Sequence, residues 1–480
     1  MIITERHELD GIFNPTSIAV VGASSDPDKA GHQFFRGLID LKFNGDIYPI
    51  NLEGIDVLGF KGYRNLMDIP GPVDYVTVAI PAHEVPKTIE DCSTKGVKVA
   101  HIFSSGFSET GKEDRIKLET QIVDIAKRGN VHIIGPNCMG IYHPKIGLSN
   151  FGIFTSKENG PVCFISQSGG NNGDFARMGL VRGLRFSKLV SYGNGCDLDS
   201  TDFIGYFTWD PETKVICAYI EGVKDGRRFI KSLKEATTVK PVIILKGGLT
   251  EAGTRAVSSH TGALAGSDAI WKSLFRQTKA VQVESLGEMI DVALAFSHMP
   301  CPKGRRAGIV GIGGGASVAA ADSCERAGLV VPPFMEDTMT QLEKITPIAG
   351  TGVKNPVDSP VGSRVSIPDY EKTLKLVASD PQIDFLIVHV TIDWYMRTPE
   401  DRKNLRDSTE ALLRNKENFG KPAAAVLRSS YSLPTWKAFL EEQKQYLDGR
   451  IPVYLTLEDA ANAISRLIQY HEFRKELIDL

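Results

Sequence analysis

Several features are absent from this 480-residue sequence, and each absence excludes a class of protein. The seven cysteines are scattered and form no CxxC pair, so a disulfide framework is not expected. No uncharged apolar run approaches the ~18 residues of a membrane span, and the charged start MIITERHELDGIF lacks the apolar core of a signal peptide. The net charge of −3 predicts no surface for nucleic acid or anionic membranes. We therefore expect a cytoplasmic globular protein.

Glycine is the residue that this chain has in excess, with 46 among 480 residues. The glycines cluster after short apolar runs, in SIAVVGAS (17–24), PVCFISQSGG (161–170) and RAGIVGIGGGAS (306–317). Continuous β-branched runs of this kind are typical of parallel strands that helices cover on both faces. A glycine-rich turn between such a strand and a helix presents backbone N–H groups that can bind phosphate or carboxylate.

The alternation of strands and helices predicts an α/β protein with three doubly wound, Rossmann- or flavodoxin-like domains. The length of 480 residues suits about three domains of ~150 residues each. We place the domains at residues 1–145, 146–300 and 301–480. The second linker is MPCPKGRR (299–306), because it combines prolines with charge.

The glycine-rich turns do not match the common nucleotide sites. No G-x-x-x-x-G-K-[ST] segment occurs, which excludes a P-loop. In the first domain, Gly22, Ser24 and Gly31 are spaced more loosely than a dinucleotide loop, and Asn51 stands where an NAD site usually has an acid. The turn therefore suits a nucleotide phosphate better than NAD. Glycines that serve only the tight turn are the alternative interpretation.

One histidine, His260, lies within AVSSHTGALAGSD, a run of residues with small side chains. Ser267 and Asp268 predict a helix N-cap directly after this run, so a phosphoryl group on the imidazole would face backbone N–H donors. Glu221 ends the predicted strand KVICAYIE, where its carboxylate could hold one ring nitrogen and leave the other nucleophilic. A helix-capping loop around His260 and a surface acid at Glu221 are the alternatives.

Two further turns of small residues follow predicted strands. In SQSGG, the hydroxyl of Ser168 stands beside the amides of Gly169 and Gly170. In IGPNCMG, Asn137 lies at the tip of a stiff turn. Together the turns suggest one long ligand that crosses several strand ends, although each could also be a plain turn. The ten histidines do not cluster at ligand spacing, so no metal site is predicted.

In combination, these segments resemble the α subunit of ADP-forming (NDP-forming) acyl-CoA synthetases of the acetate–CoA ligase type, relatives of the succinyl-CoA synthetase α subunit. The resemblance covers nearly the whole chain. It is strongest in LKGGLTEAGTRAVSSHTGALAGSD (245–268), which is similar to the family's phosphohistidine segment. The supporting segments are SIAVVGASSDPDKAG (17–31), GPNCMG (135–140), ISQSGG (165–170) and YIEG (219–222).

The resemblance implies an acid–thiol ligase in which His260 is the phosphorylated nucleophile and Glu221 steadies its ring. Acyl-CoA and phosphate would yield acyl-phosphate and free CoA, and the phosphoryl group would pass through the histidine to ADP, in either direction. The small residues around His260 would let this segment move between two sites. Phosphate would bind at Ser168, Gly169 and Gly170. Coenzyme A would bind at Gly22, Ser24, Ser25, Asn51, Pro81 and Asn137.

The resemblance also implies a second subunit. In the family, ADP or ATP with Mg²⁺ binds to an ATP-grasp module, and three sheet domains leave no room for one in this chain. We therefore expect the module on a separate β subunit, in an α2β2 hetero-oligomer by analogy. A CoA-binding regulatory protein derived from the enzyme and an NAD-dependent oxidoreductase are the alternatives. The presence of His260, Glu221 and Ser168 favours the ligase, whose carboxylic acid the sequence does not define.

Overall fold

The computed structural model describes residues 7–149, 156–255, 267–311, 314–346, 352–358 and 365–478. These residues form three sheets of mainly parallel strands with helices between them, which confirms the predicted α/β class. The chain divides into two compact units: Met1–Leu180 with Leu184–Met289, and Val181–Gly183 with Ile290–Leu480. The boundaries of the three predicted domains stay a prediction.

The first unit begins with a parallel sheet of five strands: β1 (Ser17–Val21), β2 (Asp46–Ile50), β3 (Tyr75–Val78), β4 (Val99–Ile102) and β5 (His132–Ile134). Their order is β2-β1-β3-β4-β5, so the chain changes direction across the sheet between β1 and β3. A crevice forms at such a switch point, outside the carboxyl ends of the strands. The helices are α1 (Asp10–Phe13), α2 (Ala30–Asp40), α3 (Val85–Lys95) and α4 (Glu113–Arg128), with 3₁₀ turns at Leu66–Asp68, Ala82–Glu84, Ser108–Thr110 and Pro144–Ile146.

The second sheet, also in the first unit, has six strands: β6 (Gly140–Tyr142), β7 (Asn159–Ser166), β8 (Phe186–Ser191), β9 (Val215–Ile220), β10 (Val242–Lys246) and β11 (Val281–Val283). Their order is β11-β10-β9-β7-β8-β6, with β6 antiparallel to β8. The chain therefore enters the second sheet before the boundary predicted at residue 145. The helices are α5 (Gly169–Val181), α6 (Ser200–Trp209), α7 (Gly226–Val239) and α8 (Asp268–Thr278). Helix α9 (Leu286–His298) begins in the first unit and continues into the second from Ile290.

The second unit contains a parallel sheet of four strands: β12 (Ala307–Val310), β13 (Phe385–Thr391), β14 (Ala423–Arg428) and β15 (Val453–Tyr454). The strands lie in the order of the chain. Its helices are α10 (Gly314–Arg326), α11 (Glu336–Glu343), α12 (Ile367–Ser379), α13 (Pro399–Phe419), α14 (Leu433–Asp448) and α15 (Leu457–Ile478), with a 3₁₀ turn at Ile392–Tyr395.

The uninterrupted apolar runs of the strands are buried, as expected for sheets that helices cover on both faces. Every position of β3, β4 and β8 is buried. In the core of the first unit, Phe13 stacks on Tyr206 with 4.3 Å between the ring centroids. Burying one such side chain contributes about 1.5–3 kcal/mol. None of the helices in the described ranges is both long enough and apolar enough to cross a membrane.

Candidate functional site

A cavity of about 750 Å³ opens at the carboxyl ends of β1, β2 and β3, beside the switch point of the first sheet. Such a volume lies in the range of small-molecule and cofactor sites. Five of the six residues predicted to bind CoA line this cavity, whereas Asn137 does not. The five are Gly22, Ser24, Ser25, Asn51 and Pro81.

The turn after β1 is tight and held by hydrogen bonds. Gly22 has a φ of +91°, and a Cβ at this position would lie 2.4 Å from the carbonyl oxygen of Ala79. Only glycine fits here without strain. The carbonyl of Ser24 accepts a hydrogen bond from Nδ1 of His32, at 2.9 Å, and its Oγ accepts one from the amide of Asp26, at 3.1 Å. One hydrogen bond from helix α2 and one from within the turn therefore hold Ser24 in place.

Asn51 lines the cavity, but its side chain is occupied within its own loop. Its Oδ1 accepts a hydrogen bond from the amide of Ile55, at 3.0 Å, and its Nδ2 donates to the carbonyl of the same residue, at 2.8 Å. The structure therefore gives Asn51 the role of shaping the loop after β2.

Three cations that line this cavity were missed from the sequence. Lys29, Arg64 and Lys87 come from three separate segments of the chain and converge only in the fold. Lys87 forms an ion pair with Asp91, with 2.8 Å between Nζ and Oδ1. No spacing motif links the three, so the sequence held no signal for them. Three acids, Glu53, Glu84 and Asp91, line the same cavity, so the cations suit the phosphates of a ligand only on the parts of the wall away from these acids.

A second cavity, of about 560 Å³, lies at the carboxyl end of β7 in the first unit. It brings together Asn137 and the predicted phosphate-binding residues Ser168, Gly169 and Gly170. The other lining residues include Phe103, Ser105, Cys138, Met139, Gln167, Gly173, Arg177 and Gly193. The structure therefore places Asn137 beside the residues predicted to bind phosphate and outside the cavity that Gly22 lines.

A helix begins at this cavity. Helix α5 begins at Gly169, and the first amides of an α-helix have no partner within the helix. The partial positive charge of the helix N-terminus favours an anion there. Ser168 is held in place because its carbonyl accepts a hydrogen bond from Oγ of Ser166, at 2.6 Å, and its own Oγ accepts one from the amide of Asn171, at 3.3 Å.

The turn that carries Asn137 is held by the loop after β8. Gly193 has a φ of +54°, and a Cβ there would lie 2.2 Å from the carbonyl oxygen of Pro136. The amide of Met139 donates to Oγ of Ser191, at 3.1 Å. This close approach fixes Asn137 beside the start of α5.

Glu221 follows β9 directly and is buried, with 6% of its surface exposed, so the interpretation as a surface acid is wrong. Its Oε1 accepts a hydrogen bond from the hydroxyl of Tyr219, at 3.2 Å. Its Oε2 is buried and has no hydrogen-bond partner among the described residues. Buried carboxylate oxygens are normally paired, so this atom is available for a further donor.

Gln167 and Lys246 hold the backbone around Glu221, and the sequence did not single out either. Oε1 of Gln167 accepts hydrogen bonds from the amides of Glu221, at 2.9 Å, and Gly222, at 3.1 Å. Since Gln167 also lines the second cavity, it connects Glu221 to the residues predicted to bind phosphate. Nζ of Lys246 donates to the carbonyl of Glu221, at 2.8 Å, and burial lowers the pKa of Lys246 to about 8.

His260 lies outside the described residues, and so does the rest of 256–266. The predicted N-cap that follows is confirmed: helix α8 begins at Asp268, and Oγ of Ser267 accepts a hydrogen bond from the amide of Ile270, at 3.4 Å. In the described ranges, no group of three or more His, Cys, Asp or Glu side chains is arranged to hold a metal ion.

Two family models match the chain. One, described as a CoA binding domain, matches residues 16–144. The other, described as a succinyl-CoA ligase like flavodoxin domain, matches residues 159–296. The first cavity lies within the first of these regions, and Ser168 and Glu221 lie within the second.

Relatives and solved structures of high similarity cover the whole chain. Subunit alpha of the acetate–CoA ligase [ADP-forming] II of Pyrococcus furiosus is 38% identical, over 96% of this chain and 97% of that protein. The acetate–CoA ligase [ADP-forming] of Methanocaldococcus jannaschii is 38% identical over 73% of this chain but only 49% of its own length. The structure of dinucleotide forming acetyl-coenzyme A synthetase 1 of Ca. Korarchaeum cryptofilum, in complex with phosphate and ADP, matches with a TM-score of 0.84 and 32% identity over 98% of each chain.

These similarities confirm the resemblance that the phosphohistidine-like segment and the glycine-rich turns indicated. They extend over nearly the full length of the P. furiosus subunit. The chain belongs to the family of ADP-forming acetate–CoA ligase α subunits.

Proposed function

We propose that this chain is the α subunit of an ADP-forming acyl-CoA synthetase and performs the acyl-transfer and histidine-phosphorylation steps. One observation carries the proposal. A glycine-rich helix start with Ser168 forms a cavity in which Gln167 connects directly to Glu221, and Glu221 keeps one buried oxygen without a partner. A regulatory CoA-binding protein needs no such carboxylate, and the relatives named above are ligases.

The first cavity would hold the nucleotide end of coenzyme A. The fixed turn at Gly22 would face its phosphates, and Lys29, Arg64 and Lys87 would add positive charge. Ser24, Ser25 and Pro81 line the same cavity. Asn137 would meet the other end of the ligand, because it lies in the second cavity beside Ser168.

The second cavity would hold phosphate at Ser168, Gly169 and Gly170. An oxygen of phosphate attacks the thioester carbonyl carbon of acyl-CoA, the C–S bond breaks, and CoA leaves as its thiol. A ring nitrogen of His260 then attacks phosphorus, the P–O bond breaks, and the acid leaves as its carboxylate. A terminal oxygen of ADP takes the phosphoryl group from histidine and forms ATP. Every step is reversible. The helix N-terminus would stabilise the negative charge that develops on the phosphoryl oxygens.

Glu221 would accept a hydrogen bond from the other ring nitrogen of His260 through Oε2. Such a bond fixes the tautomer and favours the positive charge that the ring gains when it attacks phosphorus. The atom is available because Oε1 already accepts the Tyr219 hydroxyl.

The nucleotide would bind to a partner. The M. jannaschii relative is about twice as long as the region it shares with this chain, whereas the P. furiosus relative is named as a subunit alpha. We therefore propose a separate β subunit with an ATP-grasp module that binds ADP or ATP with Mg²⁺, in an α2β2 assembly. We also propose a cytoplasmic location, where the seven free cysteines would remain reduced.

Ligand binding and turnover test this function. The chain with its partner subunit, acetyl-CoA, ADP and phosphate should form ATP, and the same mixture with His260→Ala should not. CoA at 100 times its dissociation constant should stabilise the chain by about 2.7 kcal/mol, and NAD should not. ATP formation by the His260→Ala complex, or stabilisation by NAD alone, would contradict the proposal.

A further inference from the structure

Lys246 is the last residue of β10 and is almost fully buried, with 5% of its surface exposed. Its ammonium donates to the carbonyl of Glu221, at 2.8 Å, and to the carbonyl of Gly247. It also lies over the indole of Trp271, 5.1 Å from the ring centroid. One ammonium therefore contacts three parts of the chain: the residue after β9, the residue after β10, and helix α8.

The buried ammonium of Lys246 takes no part in the acyl-transfer and phosphorylation steps proposed above, so its presence calls for another explanation. Burying an ammonium is unfavourable unless it is paired and hydrogen-bonded, and burial lowers the pKa of Lys246 to about 8. The two carbonyls, the indole face and the nearby carboxylate of Glu221 compensate for part of the lost hydration. An apolar side chain would fill the space without this penalty.

We propose that Lys246 is a positioning residue that fixes the backbone of Glu221 relative to Gly247 and helix α8. The inference rests on the proposed roles of Glu221 and His260. The chain that follows Gly247 leads to His260, and helix α8 begins shortly after that histidine. Lys246 would thus set the position of the Glu221 carboxylate relative to Gly247 and helix α8, which precede and follow His260 in the sequence.

Loss of this contact should slow histidine phosphorylation more than it affects folding. A misplacement of about 1 Å at a reacting centre can lower a rate roughly 100-fold. We expect Lys246→Met to lower the rate of phosphorylation by about 10- to 100-fold.

Lys240, which precedes β10, provides a matched control. Its Nζ also donates to two carbonyls, those of Phe207, at 2.7 Å, and Asp210, at 2.6 Å, and burial also lowers its pKa. It contacts no part of the Glu221 region in these bonds. Lys240→Met should therefore keep the wild-type rate of phosphorylation.

A pH profile separates positioning from packing. The titratable groups that face Lys246 are the carboxylate of Glu221 and, behind it, the hydroxyl of Tyr219; Trp271 does not titrate. As the pH rises through about 8, Lys246 loses its charge and one of its donors, so the wild-type rate should fall. Lys246→Gln keeps a donor but does not titrate, so its rate should lack this fall.

The experiment measures acid-labile ³²P on the full chain with its partner subunit, acetyl-CoA and labelled phosphate. The pH runs from about 6.5, the ordinary pKa of histidine, to about 9.5, so that it spans the pKa of Lys246 at about 8. A slow Lys246→Met variant, a normal Lys240→Met variant and a flat alkaline profile for Lys246→Gln support the inference. Labelling of Lys246→Met at the wild-type rate, equal losses in both Met variants, or an unchanged alkaline fall in Lys246→Gln overturn it. If the wild-type complex takes up no label, the proposed function itself is wrong and this inference falls with it.

Discussion

The substitution Glu221→Gln tests the role of Oε2 of Glu221, a buried carboxylate oxygen without a hydrogen-bond partner among the described residues. Glutamine has nearly the same size, and its Oε1 can still accept the hydroxyl of Tyr219, which lies 3.2 Å from that atom in the structure. The change replaces Oε2, the buried and unpaired atom, with an N–H donor. In the proposed arrangement, the ring N–H of His260 would then lose its acceptor.

The expected loss follows from the hydrogen bond that is removed. A hydrogen bond to a charged group contributes about 1.5–3 kcal/mol. If the bond is made to the developing imidazolium, its loss raises the barrier by this amount, which slows phosphorylation about 10- to 150-fold. The fold should be retained, since the side chain keeps its volume and one hydrogen bond.

The assay is a time course of acid-labile phosphate on the chain, with its partner subunit, acetyl-CoA and labelled phosphate. Glu158→Gln is the control, because Glu158 is an exposed acid that pairs with Arg185 just before β7, the strand that leads to Ser168. It should match the wild type. A Glu221→Gln rate within about twofold of the wild type, far short of the roughly 10-fold or greater loss expected from the missing bond, would refute the assigned role.

Two further predictions concern binding and stability. Gly22→Ala places a Cβ 2.4 Å from the Ala79 carbonyl oxygen at a positive φ, so it should lower the free energy of unfolding by about 1–3 kcal/mol and weaken CoA binding in calorimetric titrations; unchanged affinity would contradict the CoA site. Lys188→Met removes the ammonium that bonds Asp210, at 2.9 Å, and Glu212, at 2.8 Å, which should cost about 3–5 kcal/mol in denaturant unfolding. Hydrogen bonds with His143, Lys145 and Lys188 hold the pKa of Glu212 far below its ordinary value. The share of the deficit that comes from Glu212 should therefore be fully present above the ordinary glutamate pKa of about 4.3 and shrink only as the pH falls below it; a deficit that stays constant there would be inconsistent with this explanation.

Local patterns predicted many of the strands and the helix start after Ser267. The β-branched run before Gly22 and the run before Ser168 became β1 and β7, because an apolar run followed by glycines dictates both burial and a turn. The N-cap at Ser267 also depends only on neighbouring residues, and the structure has it as predicted.

Features that depend on distant segments could not be predicted. The three residues of β6 are too short to show a pattern, and their antiparallel pairing with β8 is set by the fold. Asn137 was predicted to bind CoA from its own turn, and the contact that sets its place beside Ser168 comes from Gly193, more than fifty residues further along the sequence. Gln167 and Lys246 act through backbone groups of Glu221, and such contacts leave no motif.

The central claim is that His260 carries a phosphoryl group during turnover, and intact-mass spectrometry tests it most directly. The chain with its partner subunit is exposed to phosphate and a panel of acyl-CoAs, beside His260→Ala. The account predicts an acid-labile gain of one phosphoryl group in the wild type and none in the variant. The same chains are also exposed to ATP, which should load the histidine from the other direction. No gain with any acyl-CoA or with ATP, or an equal gain in His260→Ala, would contradict the claim.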